Sequence, residues 1–259
     1  MKKIRFHKYQ ATGNDFVVAD NRDGGLTFTD EEVQRVCDRR FGIGADGIIL
    51  LEKDAAHDFR MSYRNRDGSE GFCGNGCRAI VHFARELGVA GAKSSFSAFD
   101  GSHEAEIFSD GTIQITLQDV NRIDQKSEED FYAHTGTDHN VRFVRNLGAY
   151  PVVEEGKRIR YSDRYKPRGT NADVVEILPG NRVSFRIYER GVEDETFSSG
   201  SGATACALVA AKVLDLPSPV QLTAPGGELT VAFSRDNGAF RNVSFRGPVQ
   251  KVFETDFIF

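Results

Sequence analysis

Phe72-Cys73-Gly74-Asn75-Gly76-Cys77-Arg78-Ala79 returns later in the chain as Ser198-Ser199-Gly200-Ser201-Gly202-Ala203-Thr204-Ala205. The shared pattern is Cys or Ser, Gly, Asn or Ser, Gly, two variable residues and Ala, and its copies lie close to half the chain apart. Each copy opens an expected helix, whose first turn offers N–H groups without intrahelical acceptors and the positive end of the helix dipole. Two such starts facing each other would set two reactive side chains on opposite sides of one small anion. That arrangement suits taking a proton from one face of a carbon and returning one on the other. The first copy carries a thiol, the second a hydroxyl.

The repetition extends outward. Thr12-Gly13-Asn14-Asp15-Phe16 with Val18 matches Thr135-Gly136-Thr137-Asp138-His139 with Val141, and Gly101 and Gly227 follow the two helices at equal distances. Three markers in one order describe a duplication; a solenoid needs at least three repeats. Thr29-Asp30-Glu31-Glu32 has capping-box spacing and predicts a helix through Val36 and Cys37. Central helices are predicted over 76–87 and 202–214, the second so apolar all round that it must be buried. Most of the remainder alternates or is β-branched, as in 4–9, 16–20, 48–52, 59–64, 104–108 and 112–117, then 141–144, 174–178, 183–188, 220–223, 229–233 and 243–246. The fold class expected is therefore α+β. It comprises two pseudo-symmetric domains, each a curved, mostly antiparallel sheet wrapped around a central helix. The boundaries expected are 1–118, with a final strand at 248–259 returning to that domain, and 119–247, joined through the polar stretch 118–130.

With 259 residues, 39% apolar and 27% charged, the chain can bury a substantial core. A net charge of −5 and no basic stripe argue against nucleic acid as a partner. No apolar run reaches the length of a membrane span. Lys2-Lys3-Ile4-Arg5 leads directly into strand-like alternation, unlike a secretory leader. Cys37, Cys73, Cys77 and Cys206 form neither a disulfide framework nor zinc-type pairs, and the 6 histidines supply no ligand motif. A cytoplasmic protein with reduced thiols and no metal is expected.

Cys73, at a glycine-flanked helix start, is the first catalytic candidate, because the dipole there favours thiolate over thiol. Gly74 and Gly76 let a ligand approach the backbone closely. Cys37, Cys77 and Cys206 read as packing residues. Gly42-Ile43-Gly44-Ala45-Asp46-Gly47 spells a dinucleotide fingerprint, but it follows a helix and precedes a strand, the reverse of what such a site needs. Asn14, Asn65, Asn75 and Asn171 each sit beside turn chemistry. Arg190, at a strand end upstream of the second helix start, could grip a carboxylate or form a solvated surface pair.

The chain resembles the diaminopimelate epimerases, within the wider class of cofactor-independent amino-acid racemases and epimerases. The resemblance rests on Gly13-Asn14-Asp15-Phe16, Gly42-Ile43-Gly44 with Asp46, Asn65 with Asp67-Gly68-Ser69-Glu70, and Cys73-Gly74-Asn75-Gly76. Tyr188-Glu189-Arg190-Gly191, Glu195-Thr196, Gly200-Ser201-Gly202-Ala203 and Ala224-Pro225-Gly226-Gly227 complete it. It implies a substrate held between two similar domains. The implied reaction interconverts LL- and meso-diaminopimelate, on the way to lysine and cell-wall precursor, without pyridoxal phosphate or another cofactor. It also implies a homodimer acting on a small-molecule amino acid.

Cys73 matches the thiolate base of that family, and Ser199 stands where the family has a second cysteine. Gly74, Asn75, Gly200 and Ser201 match the cradle of the reacting amino-acid end, and Glu189 matches the amine-binding acid. Asn14, Asn65, Asn171 and Arg190 match substrate-recognition residues, and His139 a supporting histidine. The chain departs from the family in Ser199, in Thr137-Asp138-His139 where a proline usually precedes the histidine, and in Gly47.

A hydroxyl is a much weaker acid than a thiol, and its alkoxide is not populated near neutral pH without an activating partner. General acid–base assistance is worth about 10²–10⁴-fold, so Ser199 is expected to impair epimerisation. Four readings stay open on residues alone. These are an ordinary epimerase whose cysteine was changed, an enzyme that naturally works with serine, a one-base racemase or hydroxy-amino-acid dehydratase using Cys73, and a non-catalytic amino-acid-binding relative.

Overall fold

The computed structural model describes residues 2–259, and the chain falls into two compact units. The first holds the chain up to Ile115 together with Gly247–Phe259, and the second is Thr116–Arg246. Strands and helices mix in both, so the fold is α+β.

The first unit runs β1 (Lys3–Ala11), β2 (Asn14–Asp20), α1 (Asp30–Cys37), β3 (Gly47–Glu52), β4 (Phe59–Asn65), α2 (Gly74–Glu86), β5 (Lys93–Ala98), β6 (Gly101–Ile107) and β7 (Ile113–Thr116). Pairing is antiparallel for β1–β2, β3–β4, β5–β6 and β6–β7, and parallel for β2–β3 and β4–β5. The parallel pairs are those spanned by α1 and α2, since a crossover needs a long connection. Thr29 caps α1 through a complete capping box with Glu32, as its spacing predicts. α2 packs on β1 to β4 and buries Asn75 through Val81.

The second unit repeats this order with β8 (Ile123–Gln125), β9 (Asp130–His134), β10 (Asp138–Phe143), α3 (Val152–Arg160), β11 (Asn171–Leu178), β12 (Arg182–Glu189), β13 (Asp194–Thr196), α4 (Gly200–Leu214), β14 (Val220–Ala224), β15 (Gly227–Asp236) and β16 (Ala239–Gly247). Here β10–β11 and β12–β14 are parallel, while β9–β10, β11–β12, β14–β15 and β15–β16 are antiparallel. Apart from β13, which pairs with β12 and has no counterpart, this is the pairing sequence of the first unit. α4 is buried from Gly200 to Ala211 except at Ser201, as its apolar composition predicts. Finally β17 (Gln250–Ile258) pairs antiparallel with β1, back in the first unit.

Three details differ from the sequence reading. α2 and α4 begin at Gly74 and Gly200, so the glycines form the first turn and Cys73 and Ser199 are the N-caps. α3 was not predicted, because β-branched Val152 and Val153 and Gly156 are poor helix formers, while Pro151 stands at the N-cap, ahead of the helix interior. Gly156 is there because a Cβ would lie 2.3 Å from Cβ of Tyr188. The polar stretch 118–130 carries β8 and a bridge from Val120 to Phe240.

Candidate functional site

In the first unit the residues gathered at the start of α2 are joined by amide chemistry. Cys73 is the N-cap in extended backbone, φ −136° and ψ 105°, and its side chain makes no cap hydrogen bond. Its thiol Sγ lies 3.5 Å from Oδ1 of Asn14, which also accepts from Nδ2 of Asn75 at 3.3 Å. Asn14 in turn donates to Oδ2 of Asp46 at 2.6 Å. Behind it, Arg39 reaches Asp15 through both terminal nitrogens, at 2.9 and 2.7 Å, and Asp46 at 2.8 Å, while Lys8 donates to Asp15 and to the carbonyl of Gly44. Burial alone would raise the Asp15 carboxyl, but the hydrogen bonds from Arg39 and Lys8 outweigh it and bring it down to about 2. Burial, and then the charge of Asp15, push Asp46 the other way.

Arg78, one turn into α2, is fully buried, and its Nη2 bonds Oγ1 of Thr12 at 3.0 Å and Oδ1 of Asn75 at 2.9 Å. An arginine only donates, so these bonds fix which end of the Asn75 amide faces Asn14. Burial lowers Arg78 to about 9, with Cys73 and Cys77 acting against it, so the guanidinium remains a cation at neutral pH. Asn65 ends β4. Its oxygen accepts from Tyr63 at 3.0 Å and its nitrogen donates to Ser69, which ties it to its own turn. Cys37 and Cys77 are buried; burial raises the first to about 12 and the second well above the thiol range. The segment 42–47 links α1 to β3, and Gly47 leaves room for Tyr63, whose ring would sit 2.4 Å from a Cβ there.

In the second unit the corresponding cluster is made of hydroxyls and one ion-pair partner set. Ser199 caps α4, accepting from the amide of Gly202 at 3.2 Å, and its Oγ lies 3.3 Å from Oγ of Ser201. Ser201 Oγ is 3.0 Å from Nε2 of His139, and Thr137 Oγ1 is 2.9 Å from the same nitrogen. The other ring nitrogen, Nδ1, is 2.7 Å from Oδ2 of Asp173, and both side chains are completely buried. Asn171 donates to Thr137 at 3.1 Å and to the carbonyl of Asp138 at 3.0 Å, and accepts from the backbone amide of Arg190 at 2.8 Å. The Arg190 guanidinium lies 3.6 Å from Asp138. Glu189 accepts from Thr196 at 2.9 Å. The amides of Gly200 and Ser201, like those of Gly74 and Asn75, belong to a first helical turn that has no intrahelical acceptors for them.

Each unit thus brings its own candidates together: Cys73, Asn14 and Asn75 in one, Ser199, Ser201, His139, Asn171 and Arg190 in the other. Asn65 and Glu189 occupy matching strand ends. Thr12, Asp46, Arg78 and Thr137 lie in the quoted motifs but were not named as site residues, and Asp173 escaped the sequence reading altogether. Among the described residues, no group of three or more His, Cys, Asp or Glu side chains is placed to hold a metal, and no helix is long and apolar enough to cross a membrane.

Comparison with known proteins agrees with the duplicated architecture. The profile of the diaminopimelate epimerase family matches residues 6–123 and 131–252. A diaminopimelate epimerase of Flavobacterium psychrophilum is 42% identical, over 97% of this chain and 99% of its own length. That of Aquifex aeolicus is 37% identical, over 97% and 96%. Among solved structures, a Bacillus anthracis phenazine biosynthesis protein of the PhzF family superimposes with a TM-score of 0.80 at 17% identity, covering 100% of both chains. A hydroxyproline epimerase from Agrobacterium vitis gives 0.73 at 14%, over 98% and 92%. At such identities these two likenesses concern the fold alone.

Proposed function

We propose, because the chain belongs to the diaminopimelate epimerase family, that it interconverts LL- and meso-diaminopimelate by moving a proton at one α-carbon. This makes it an isomerase of lysine biosynthesis. The observation that carries the reading is the pair of glycine-rich helix starts, one capped by Cys73 and the other by Ser199.

In this reading the Cys73 thiolate takes the α-proton of one stereoisomer. The charge left on carbon spreads into the substrate carboxylate, and first-turn amides at Gly74, Asn75, Gly200 and Ser201 stabilise it, being oriented before the reaction begins. Protonation from the Ser199 side then inverts the centre, and the reverse reaction exchanges the two roles. Glu189 holds the α-ammonium, while Asn14, Asn65, Asn171 and Arg190 read the substrate, including its distal end. The chemistry is assigned to side chains and helix ends, with no cofactor. A homodimer is proposed on family resemblance, and sedimentation equilibrium tests it.

Incubation of the protein with LL-diaminopimelate in deuterium oxide tests the function. The expected result is meso-diaminopimelate carrying deuterium at the inverted carbon. No meso product and no deuterium in recovered substrate would remove the reading.

A further inference from the structure

Strand register gives the two units a residue-by-residue correspondence. In the first, Phe16 pairs with Gly47 and Val18 with Ile49 across parallel β2 and β3. In the second, His139 pairs with Asn171 and Val141 with Asp173 across parallel β10 and β11. Phe16 therefore corresponds to His139 and Ile49 to Asp173. The glycines agree: a Cβ on Gly76 would touch Ile49, and one on Gly202 would touch Asp173. Behind Cys73 the two positions are apolar and fully buried; behind Ser199 they are a fully buried imidazole and carboxylate. Burying such a pair brings a desolvation cost that the apolar pair of the other unit avoids, so stability does not explain it.

Oxygen and nitrogen atoms lead without interruption from that pair to the N-cap. Asp173 Oδ2 is 2.7 Å from His139 Nδ1, His139 Nε2 is 3.0 Å from Ser201 Oγ, and Ser201 Oγ is 3.3 Å from Ser199 Oγ. A carboxylate only accepts, so Nδ1 carries a proton, and in the neutral ring Nε2 is then an acceptor facing the hydroxyls. Thr137 shares Nε2 and takes the amide of Asn171, but Ser201 is the hydroxyl that continues to Ser199. Cys206 of α4 is a neighbour that burial, and then the charge of Asp173, push well above the thiol range, so it stays neutral. The last link is long for a pair of hydroxyls, and catalytic hydrogen bonds commonly tighten only when substrate is bound.

We propose that Asp173, His139 and Ser201 form a proton relay that makes Ser199 a working acid and base in the place of a thiol. When Ser199 takes the substrate α-proton, its own hydroxyl proton passes to Ser201, and the Ser201 proton passes to Nε2. The resulting imidazolium is neutralised by Asp173. In the opposite direction the imidazolium returns a proton along the same three links, so no proton is gained or lost over a cycle. Ser199 is the group that meets substrate; Asp173 positions His139 and keeps its acceptor nitrogen turned toward Ser201. The relay rests on the epimerase reading above.

A double-mutant cycle tests it, measuring α-deuterium incorporation separately from LL- and meso-diaminopimelate. With Ser199 in place, Asp173→Asn is expected to slow incorporation from the isomer served by Ser199 about 100-fold, within the usual range for general acid–base groups. Inversion of the isomer served by Cys73 should fall by a similar factor, because in that direction the same relay must return the proton. In a Ser199→Cys background the same Asp173→Asn change should cost only a few-fold, because a thiol ionises without the relay. Ser201→Ala breaks the chain one link nearer the substrate and leaves the buried pair intact, so it replaces Asp173→Asn if that variant does not fold. Equal losses in both backgrounds, or no loss, would overturn the relay. Absence of incorporation in both the unaltered protein and Ser199→Cys would overturn the epimerase reading itself, and the relay with it.

Discussion

Replacing Gly202 by alanine, alongside the same change at Gly76, separates what the two halves have placed beneath equivalent helix starts. Both glycines are the third residue of their helix, so the intrinsic preference for alanine, about 1 kcal/mol, is common to the two variants and cancels. At Gly76 a new Cβ would lie 3.1 Å from Cδ1 of Ile49 and 3.1 Å from Cε of Met61, both ends of side chains that can turn aside. A net change within about 1 kcal/mol is expected there. At Gly202 the Cβ would fall 2.6 Å from Oδ1 of Asp173 and 3.0 Å from Cδ1 of Ile187. That carboxylate is held by His139 in a buried site, so relieving the clash means moving one partner of the pair. Overpacking costs about 1–3 kcal/mol and disrupting a buried pair about 3–5 kcal/mol. Gly202→Ala should therefore be less stable than Gly76→Ala by about 2–3 kcal/mol. Urea unfolding at neutral pH with a common slope measures the difference. Agreement of the two variants within about 0.5 kcal/mol, the usual error of such comparisons, would refute the claim that the buried carboxylate dictates glycine at 202.

Cys73→Ser should move activity and stability in opposite directions. Deuterium exchange should fall about 10²–10⁴-fold, while the new hydroxyl can cap α2 as Ser199 caps α4 and add about 1 kcal/mol, read from the melting temperature; retained exchange would remove Cys73 from the mechanism. Asp15 is held at about 2, below its ordinary value near 3.8, so its contribution is present above pH 4 and is lost as pH falls from 4 toward 2. At about 1.4 kcal/mol per unit, Asp15→Asn should shrink the acid-side loss of stability by about 2 kcal/mol, with the upward displacement of Asp46 acting in opposition. Urea midpoints collected from pH 5 to pH 2 would contradict this if the two proteins lost stability in parallel.

What could be read directly was whatever is local. The Thr29 capping box, the apolar run of α4 and the glycine-flanked helix starts each hold their signal within a few residues; the first two form where expected, and the helices start two residues earlier than expected. α3 resisted because its reason is remote: Gly156 serves the close approach of Tyr188, and nothing near residue 156 says so. Asp173 resisted for the same reason. The strand expectation began at Val174, so the aspartate looked like a residue before a strand, whereas it lies inside β11 beside a histidine from β10. The duplication did offer a clue, since His139 aligns with Phe16, and a histidine in a core position calls for a buried partner. Arg78 was hidden in the repeated motif itself. A lone arginine on a helix normally reads as a solvent-facing residue, and only the surrounding burial of α2 reveals a cation directed at Asn75 and Thr12.

The pairing of β17 with β1 has a consequence for the order in which the protein can be made. Every strand and helix of the second unit lies between Ile123 and Gly247, in one continuous stretch, whereas the first unit is assembled from two stretches that flank it. The unit that begins first must wait with β1 uncovered along one edge until codons 250–258 have been read. A chain interrupted before residue 250 would therefore leave β1 with an exposed strand edge open to pairing with other chains.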